Sequence, residues 1–106
     1  MVGNALLRYF KKIDFKKIYF VTKKKLNLLN QNKVESFIKS KKPDVIINCA
    51  GKVGGILANS TYPVEFLNDN IFIQLNLINS AYKNKVKHFI NLGSSCIYPK
   101  NSKQPI

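Results

Sequence analysis

The sequence predicts a doubly wound α/β fold, in which helices cover both faces of a parallel sheet. Short apolar segments typical of buried strands alternate along the chain with segments whose apolar residues recur at helical spacing. The strand-like segments are apolar throughout, as expected when helices pack on both faces of a sheet. The opening is unusual, because a doubly wound domain normally begins with a strand and this chain begins with a helix-like segment.

The individual elements are assigned from apolar periodicity and from turn and capping residues. Asn32 is the expected N-cap of the second helix, and Glu35 stands three residues later, where its side chain can bond back to the N-cap backbone. Pro43 ends that helix. Helices are predicted at residues 2–12, 32–42 and 63–82, strands at 16–22, 25–30, 44–51 and 88–92, and a loop at 51–63. The apolar face of the long helix is assigned to Leu67, Ile71, Gln74, Leu75, Ile78, Ala81 and Tyr82.

Length and composition are those of one globular domain. The chain has 106 residues, and its 45% hydrophobic content argues against wholesale disorder. No apolar run approaches the ~18 residues of a membrane helix. Cys49 and Cys96 each end an apolar run, so both are expected to be reduced thiols in a cytoplasmic protein.

The net charge of +13 raises the question of nucleic-acid binding. All the cations except Arg8 are lysines, and they are spread along the chain rather than gathered in one segment. Arginine is the side chain best suited to forked phosphate contacts, so we expect no nucleic-acid partner. His88 precedes the last strand and is expected to be an ordinary surface histidine, and no cluster has the spacing of metal ligands.

Three loops follow the carboxyl ends of the main strands, where ligands bind in such sheets. Residues 22–25, Thr-Lys-Lys-Lys, offer cations to a 2′-phosphate or are simply solvated lysines. The glycines of 51–55, Gly-Lys-Val-Gly-Gly, permit close approach of a ligand or form a turn. In 93–96, Gly-Ser-Ser-Cys, a hydroxyl can hydrogen-bond a substrate carbonyl and a thiol can exchange protons, or both residues are structural.

Three blocks together resemble a known family: TKKKLNLLN, PDVIINCAGKVGGILANSTYPVEFLNDN and FINLGSSCIYPKNSKQPI. They are similar to the N-terminal part of the GDP-L-fucose synthases, within the extended short-chain dehydrogenase/reductase family. The resemblance implies a Rossmann-type fold with strand order 3-2-1-4-5 and NADP as the cofactor. It also implies epimerisation of GDP-4-keto-6-deoxy-D-mannose at C3 and C5, reduction at C4 with NADPH, and a homodimeric complete enzyme.

The resemblance also implies roles for particular residues. Ser94 hydrogen-bonds the 4-keto oxygen, and Cys96 carries protons during epimerisation. Lys23 stands where the family has an arginine that holds the 2′-phosphate, so the charge is kept but the fork is lost. The implied cofactor-binding residues are Val2, Gly3, Lys23, Leu26, Asn27, Leu28, Ala50, Leu92, Gly93, Ser94 and Ser95.

By the same resemblance, residues 1–106 correspond to a partial dinucleotide-binding domain that lacks its first strand and the substrate domain. The family's Tyr-x-x-x-Lys pair lies further along such enzymes, so we expect this chain to be inactive alone. Two alternatives stay open. One is another nucleotide-sugar epimerase or dehydratase of the same family. The other is a non-catalytic module that binds a dinucleotide or nucleic acid, for which salt-dependent binding to DNA or RNA is the distinguishing sign.

Overall fold

The computed structural model describes residues 1–94, 97–99 and 101–103. The described residues contain both helices and strands, as the α/β assignment requires, and two helices precede each strand. In chain order the elements are α1 (Val2–Lys12), α2 (Gln31–Lys41), β1 (Val45–Asn48), α3 (Ile56–Thr61), α4 (Pro63–Lys83) and β2 (His88–Asn91). The first helix and the order of the later elements follow the sequence-based assignment.

The two strands pair in parallel, with α3 and α4 lying between them along the chain. Val45 lies opposite His88, and Asn48 lies opposite Asn91 at the carboxyl end. The carbonyl of Asp44 accepts from the backbone N–H groups of both Lys87 and His88, at 3.0 Å each, and so begins the ladder. A parallel pair joined through a helical connection is the unit of a doubly wound sheet, so the fold class is confirmed.

The core lies where α2 packs on α4 beside the sheet. Val34 and Ile38 of α2 and Leu77 of α4 form its buried centre. The side chains packed around them are Leu28, Phe37, Ile46, Ile73, Val86 and Phe89. The N-cap of α2 is Asn30 rather than Asn32, because Asn30 has an extended backbone and its side-chain oxygen accepts from the Lys33 N–H at 3.0 Å.

The predictions of strands at 16–22 and 25–30 are wrong for this structure. Within the described residues, neither segment forms a strand. Residues 25–30 turn instead, since Thr22 O accepts from both Lys25 N and Leu26 N at 2.9 Å, and Asn27 O accepts from Asn30 N at 3.1 Å. A strand needs a neighbouring strand to pair with its N–H and C=O groups. Because residues 25–30 form turns, they offer residues 16–22 no strand to pair with.

Three further assignments change in detail. The strand predicted at 44–51 is shorter, Val45–Asn48, and the loop predicted at 51–63 contains α3. The face assigned to the long helix is largely exposed: Leu67 is 60% and Tyr82 is 86% accessible. Ala81 of the predicted face is buried, as expected, but the other buried residues of α4 are Asn76, Leu77 and Ser80, which were not assigned to that face.

Candidate functional site

A cavity of about 320 Å³ opens beside the carboxyl end of β1. Three segments distant in sequence form it: the turns that follow residue 20, the loop that follows β1, and one face of α4. Its lining residues are Val21, Thr22, Lys23, Leu26, Asn27, Leu28, Leu29, Cys49, Ala50, Gly51, Lys52, Asp69 and Ile73. Five expected cofactor residues, Lys23, Leu26, Asn27, Leu28 and Ala50, are therefore brought together at one place.

Local turns and one long-range contact hold the first lining segment. The turn at Thr22 buries Leu26, and the Asn27 side chain accepts from the Leu29 N–H at 3.1 Å. Asn76, buried on α4, donates its side-chain amide to the carbonyl of Leu28 at 2.8 Å. This hydrogen bond fixes the turns to the longest helix of the described chain without any strand pairing.

The two lysines of the cavity differ in their charge partners. Lys52 Nζ lies 2.9 Å from Asp69 Oδ2 and 5.1 Å from the centre of the Phe66 ring. Among the described residues, Lys23 forms no ion pair with a carboxylate. The charge of Lys52 is therefore largely neutralised within the protein, whereas the charge of Lys23 remains available to an anionic ligand.

The glycines of the loop after β1 serve contact with α4. A Cβ on Gly54 would lie 2.8 Å from Phe66 Cζ, closer than carbon atoms can approach. A Cβ on Gly51 would lie 3.3 Å from the side-chain oxygen of Asn70. That oxygen accepts from Lys52 N at 2.7 Å, and the Asn70 amide donates to Lys52 O at 3.0 Å. The close approach that Gly51 and Gly54 make is therefore to α4, and the approach of a ligand to this loop stays a prediction.

Val2 and Gly3 lie at the start of α1, near the cavity but outside its lining. A Cβ on Gly3 would stand 3.6 Å from Cys49 Cβ and 3.6 Å from Phe20 Cε2. Cys49 itself lines the cavity and is an exposed free thiol. The first turn of α1 therefore reaches the cavity through Cys49.

The chain leaves β2 at the same end of the sheet. Leu92 N donates to Asn48 O at 3.2 Å, which extends the ladder by one residue beyond β2. Leu92, Gly93 and Ser94 follow in exposed positions, and Ser94 O accepts from Ile97 N at 3.3 Å. The residues expected on the nicotinamide side thus leave the sheet next to β1, which Ala50 follows by two residues. Ser95 and Cys96 lie outside the described residues.

Several residues of this region escaped the sequence analysis. Asp69, Asn70 and Asn76 lie on the predicted long helix. Apolar periodicity predicts that helix but assigns no role to its polar residues. Asn48 and Asn91 each end a strand, and Asn48 is the buried one, 4% exposed. Each of these two asparagines ends an apolar run, and this pattern in the sequence could have indicated a polar contact at the strand ends.

Neither a cluster of metal ligands nor a membrane-spanning helix is found in the described part of the chain. No three His, Cys, Asp or Glu side chains come together there as metal ligands would. Within the same ranges, no helix has the length and hydropathy required to span a membrane.

A family model for the NAD dependent epimerase/dehydratase family matches residues 1–106, the whole chain. The chain belongs to the NAD dependent epimerase/dehydratase family. Relatives in this family include GDP-L-fucose synthase 1 of Arabidopsis thaliana, 47% identical over all of this chain and 33% of the relative. GDP-L-fucose synthase of Escherichia coli is 42% identical with the same coverage. The chain thus spans about a third of the length of these relatives.

This member of the epimerase/dehydratase family is also similar to a solved structure. That structure is a GDP-mannoheptose C4 reductase from Campylobacter jejuni with NADP bound. The TM-score is 0.90 at 34% sequence identity, over 98% of this chain and 33% of that one. The fold of the N-terminal third of a dinucleotide-binding reductase is therefore reproduced here.

Proposed function

We propose that residues 1–106 form the NADP-binding part of an enzyme that converts GDP-4-keto-6-deoxy-D-mannose to GDP-L-fucose. The observation that carries the proposal is the cavity beside β1, which gathers Lys23, Leu26, Asn27, Leu28 and Ala50. Full-length matches of the chain to proteins named GDP-L-fucose synthase support the choice of reaction.

The donor set of the cavity fits NADP. Lys23 presents a cation without a carboxylate partner among the described residues, which suits a 2′-phosphate. The nearby acidic side chain, Asp69, is engaged by Lys52 at 2.9 Å and is not free to favour an unphosphorylated ribose. Leu26, Leu28 and Ile73 supply apolar surface for an adenine ring. When bound, NADPH supplies the hydride for reduction at C4.

Ser94 and Cys96 have distinct roles in this proposal. The Ser94 hydroxyl donates a hydrogen bond to the 4-keto oxygen and stabilises negative charge that develops there. The Cys96 thiol moves protons at C3 and C5, since a thiol whose pKa lies near 8.5 in model peptides can exchange protons at neutral pH. Both residues follow β2 in the sequence, Ser94 three positions and Cys96 five positions after Asn91.

The test is a chimera in which residues 1–106 replace the aligned third of the Arabidopsis relative. With GDP-4-keto-6-deoxy-D-mannose and NADPH it should release GDP-L-fucose, detected by chromatography of the sugar nucleotide. The unmodified relative is the positive control. A folded chimera that binds neither NADPH nor substrate would refute the proposal, and salt-dependent nucleic-acid binding by the chain would favour the non-catalytic alternative.

The role of Cys96 is tested separately in the chimera. Cys96→Ser should slow epimerisation more than reduction, because the thiol takes no part in hydride delivery. Uptake of solvent deuterium at C3 and C5 reports the first step, and NADPH oxidation reports the second. Cys49→Ser is the matched control and should leave the ratio of the two rates unchanged. Equal slowing of both steps by Cys96→Ser would return Cys96 to a structural role.

A second candidate is the same cofactor role in a reductase of another GDP-sugar. The structural match to a GDP-mannoheptose C4 reductase favours it. A second chimera, with residues 1–106 grafted into that reductase, distinguishes the candidates. NADPH-dependent activity only in the heptose reductase background would favour the second candidate, and activity only in the Arabidopsis background would favour the first.

We also propose that the complete protein is a homodimer that uses α4. Along this helix, a row of apolar side chains is exposed: Val64, Leu67, Ile71, Leu75 and Ile78. Exposed apolar surface of this extent is typical of an interaction site. Sedimentation of the chimera should give a dimer, and Ile71→Glu should yield monomers. A wild-type chimera that sediments as a monomer would contradict this proposal.

A further inference from the structure

The carboxyl ends of β1 and β2 are joined by their last side chains. Asn48 Nδ2 donates to Asn91 Oδ1 at 2.8 Å. The same Asn48 side chain accepts from the Ala50 N–H through Oδ1, at 3.0 Å. The two residues also lie opposite each other in the ladder. One buried amide therefore contacts the loop that lines the cofactor cavity and the strand that leads to Ser94.

The orientation of this amide pair is determined by its partners. A backbone N–H can only donate, so the group of Asn48 that faces Ala50 must be the oxygen. The amide nitrogen of Asn48 then faces Asn91, which must present its own oxygen. Since Asn48 is 4% exposed, an arrangement that left either group unpaired would be unfavourable, and a single arrangement is selected.

We propose that the Asn48–Asn91 pair is a positioning device that sets the distance between the cofactor cavity and Ser94. This inference rests on the proposed function, because it assigns Ser94 to the substrate carbonyl. Asn48 holds Ala50, which lines the cavity, while Asn91 lies three residues before Ser94 on the chain. The pair thus couples the two loops that must meet at the reacting carbon. Neither residue is placed in contact with substrate or cofactor.

The first experiment compares two substitutions of Asn91 in the chimera. Asn91→Leu removes the acceptor, and we expect kcat to fall about tenfold, since small misplacements of catalytic groups are costly. Because the cavity lining keeps its turns and its Asn76 anchor, the Kd of NADPH should change less than about twofold. Asn91→Asp keeps an acceptor for the Asn48 amide, so kcat should stay within about threefold of the parent.

Asn84→Leu provides the matched control. Asn84 also uses its side-chain amide in one hydrogen bond, to Ser80 O at 2.8 Å, but it lies at the end of α4 away from the cavity. This substitution should leave kcat unchanged. Equal losses of kcat in Asn84→Leu and Asn91→Leu would overturn the inference, because both would then act through general stability.

Amide exchange gives a readout that does not need activity. In Asn91→Leu the Asn48 amide loses its partner and turns away, so the Ala50 N–H should exchange at least about tenfold faster. Asn91→Asp should restore the slow rate. If the parent chimera is folded but inactive, the proposed function fails, and exchange at Ala50 alone decides whether the pair positions this loop. An Ala50 amide unaffected by Asn91→Leu, or an unchanged kcat, would overturn the inference.

Discussion

Two regions of the molecule carry similar apolar sequences but reach different structures. The first region, residues 44–50, contributes β1, which pairs with β2. It lies beside the core around Val34 and Leu77. Residues 16–22 have five β-branched or aromatic side chains, compared with three in residues 44–50, yet they lie in no strand of the described chain. There Tyr19 is 40% and Phe20 is 39% exposed.

The difference shows that strand formation depends on a neighbour more than on composition. β1 has one in β2, brought alongside by α4, whereas residues 16–22 have α1 on one side in sequence and turns on the other. Both regions nevertheless line the same cavity. The turns of residues 22–30 depend on local hydrogen bonds and on Asn76, so they keep their place without a strand before them.

The largest expected effect concerns the loop after β2, to which we assign the chemistry. Ser94→Ala in the chimera should lower kcat by about 10²–10³-fold, the usual cost of losing one donor to a developing oxyanion. The Kd of NADPH should change little, because Ser94 does not line the cavity. Steady-state kinetics and fluorescence titration measure the two quantities. A loss of NADPH affinity with unchanged kcat would leave Ser94 with its expected cofactor contact alone and would contradict its role at the 4-keto oxygen.

The second prediction compares the regions by stability. Leu77→Ala in the core should lower the free energy of opening at α4 by about 2–5 kcal/mol, through lost burial and a cavity. Phe20→Ala should cost less than Leu77→Ala, because part of the Phe20 ring is already exposed to water. Amide exchange of the α4 residues in the chimera measures both. Equal costs would show that residues 16–22 are packed as firmly as the core.

Several elements of the fold are predictable from local patterns in the sequence. The periodicity of α1 and α4, the interruption at Pro43 and the apolar run that becomes β1 are all readable from neighbouring residues. Lys23, Leu26, Asn27, Leu28 and Ala50 are implied by a resemblance and line one cavity, while their role in binding the cofactor stays a prediction.

What the sequence could not give depends on contacts between distant residues. Strand pairing failed at residues 16–22, since nothing in their own composition reports the absence of a partner. The buried face of α4 was misassigned because Asn76 and Ser80 are polar, while Leu67 and Tyr82 are apolar but exposed. The Asn48–Asn91 bond joins residues that are 43 positions apart. Such pairings become visible only in three dimensions.

A third prediction sharpens the capping assignment at the junction of the two regions. Asn30→Ala should destabilise the first turn of α2 by about 1 kcal/mol, because the Lys33 N–H loses its acceptor. Asn32→Ala, at the position that the sequence favoured, should have a much smaller effect. Exchange of the Lys33 amide distinguishes them. Greater loss in Asn32→Ala would restore the sequence-based N-cap.

The smallest expected effect lies at the amino ends of β1 and β2. Lys87 Nζ lies 2.8 Å from Asp44 Oδ1, and this hydrogen-bonded cation lowers the pKa of Asp44 below its usual value. A lowered pKa in the folded state means that the contribution is present above the unfolded pKa, near 3.9, and is lost as the pH falls through the folded pKa. Both side chains are exposed, so the change should be slight.

Thermal unfolding of the chimera between pH 6 and pH 2, compared with Asp44→Asn, measures this contribution. The parent should lose slightly more stability than the variant as the pH falls below about 4, where the carboxylate becomes protonated. Identical pH profiles would show that the ion pair at the base of the strands adds nothing. A steeper acid loss in Asp44→Asn would contradict the assigned direction of the pKa.

We propose that the turns after residues 16–22, although no strand precedes them, hold the 2′-phosphate of NADP. The most direct measurement is the ratio of kcat/KM with NADPH to kcat/KM with NADH in the chimera, for Lys23→Glu and for Lys24→Glu. Lys24 is adjacent but lies outside the cavity lining, so it controls for net charge. We predict that Lys23→Glu lowers the ratio by about tenfold or more, because a carboxylate repels the phosphate, while Lys24→Glu leaves it nearly unchanged. Equal ratios in the two variants would show that Lys23 does not hold the 2′-phosphate.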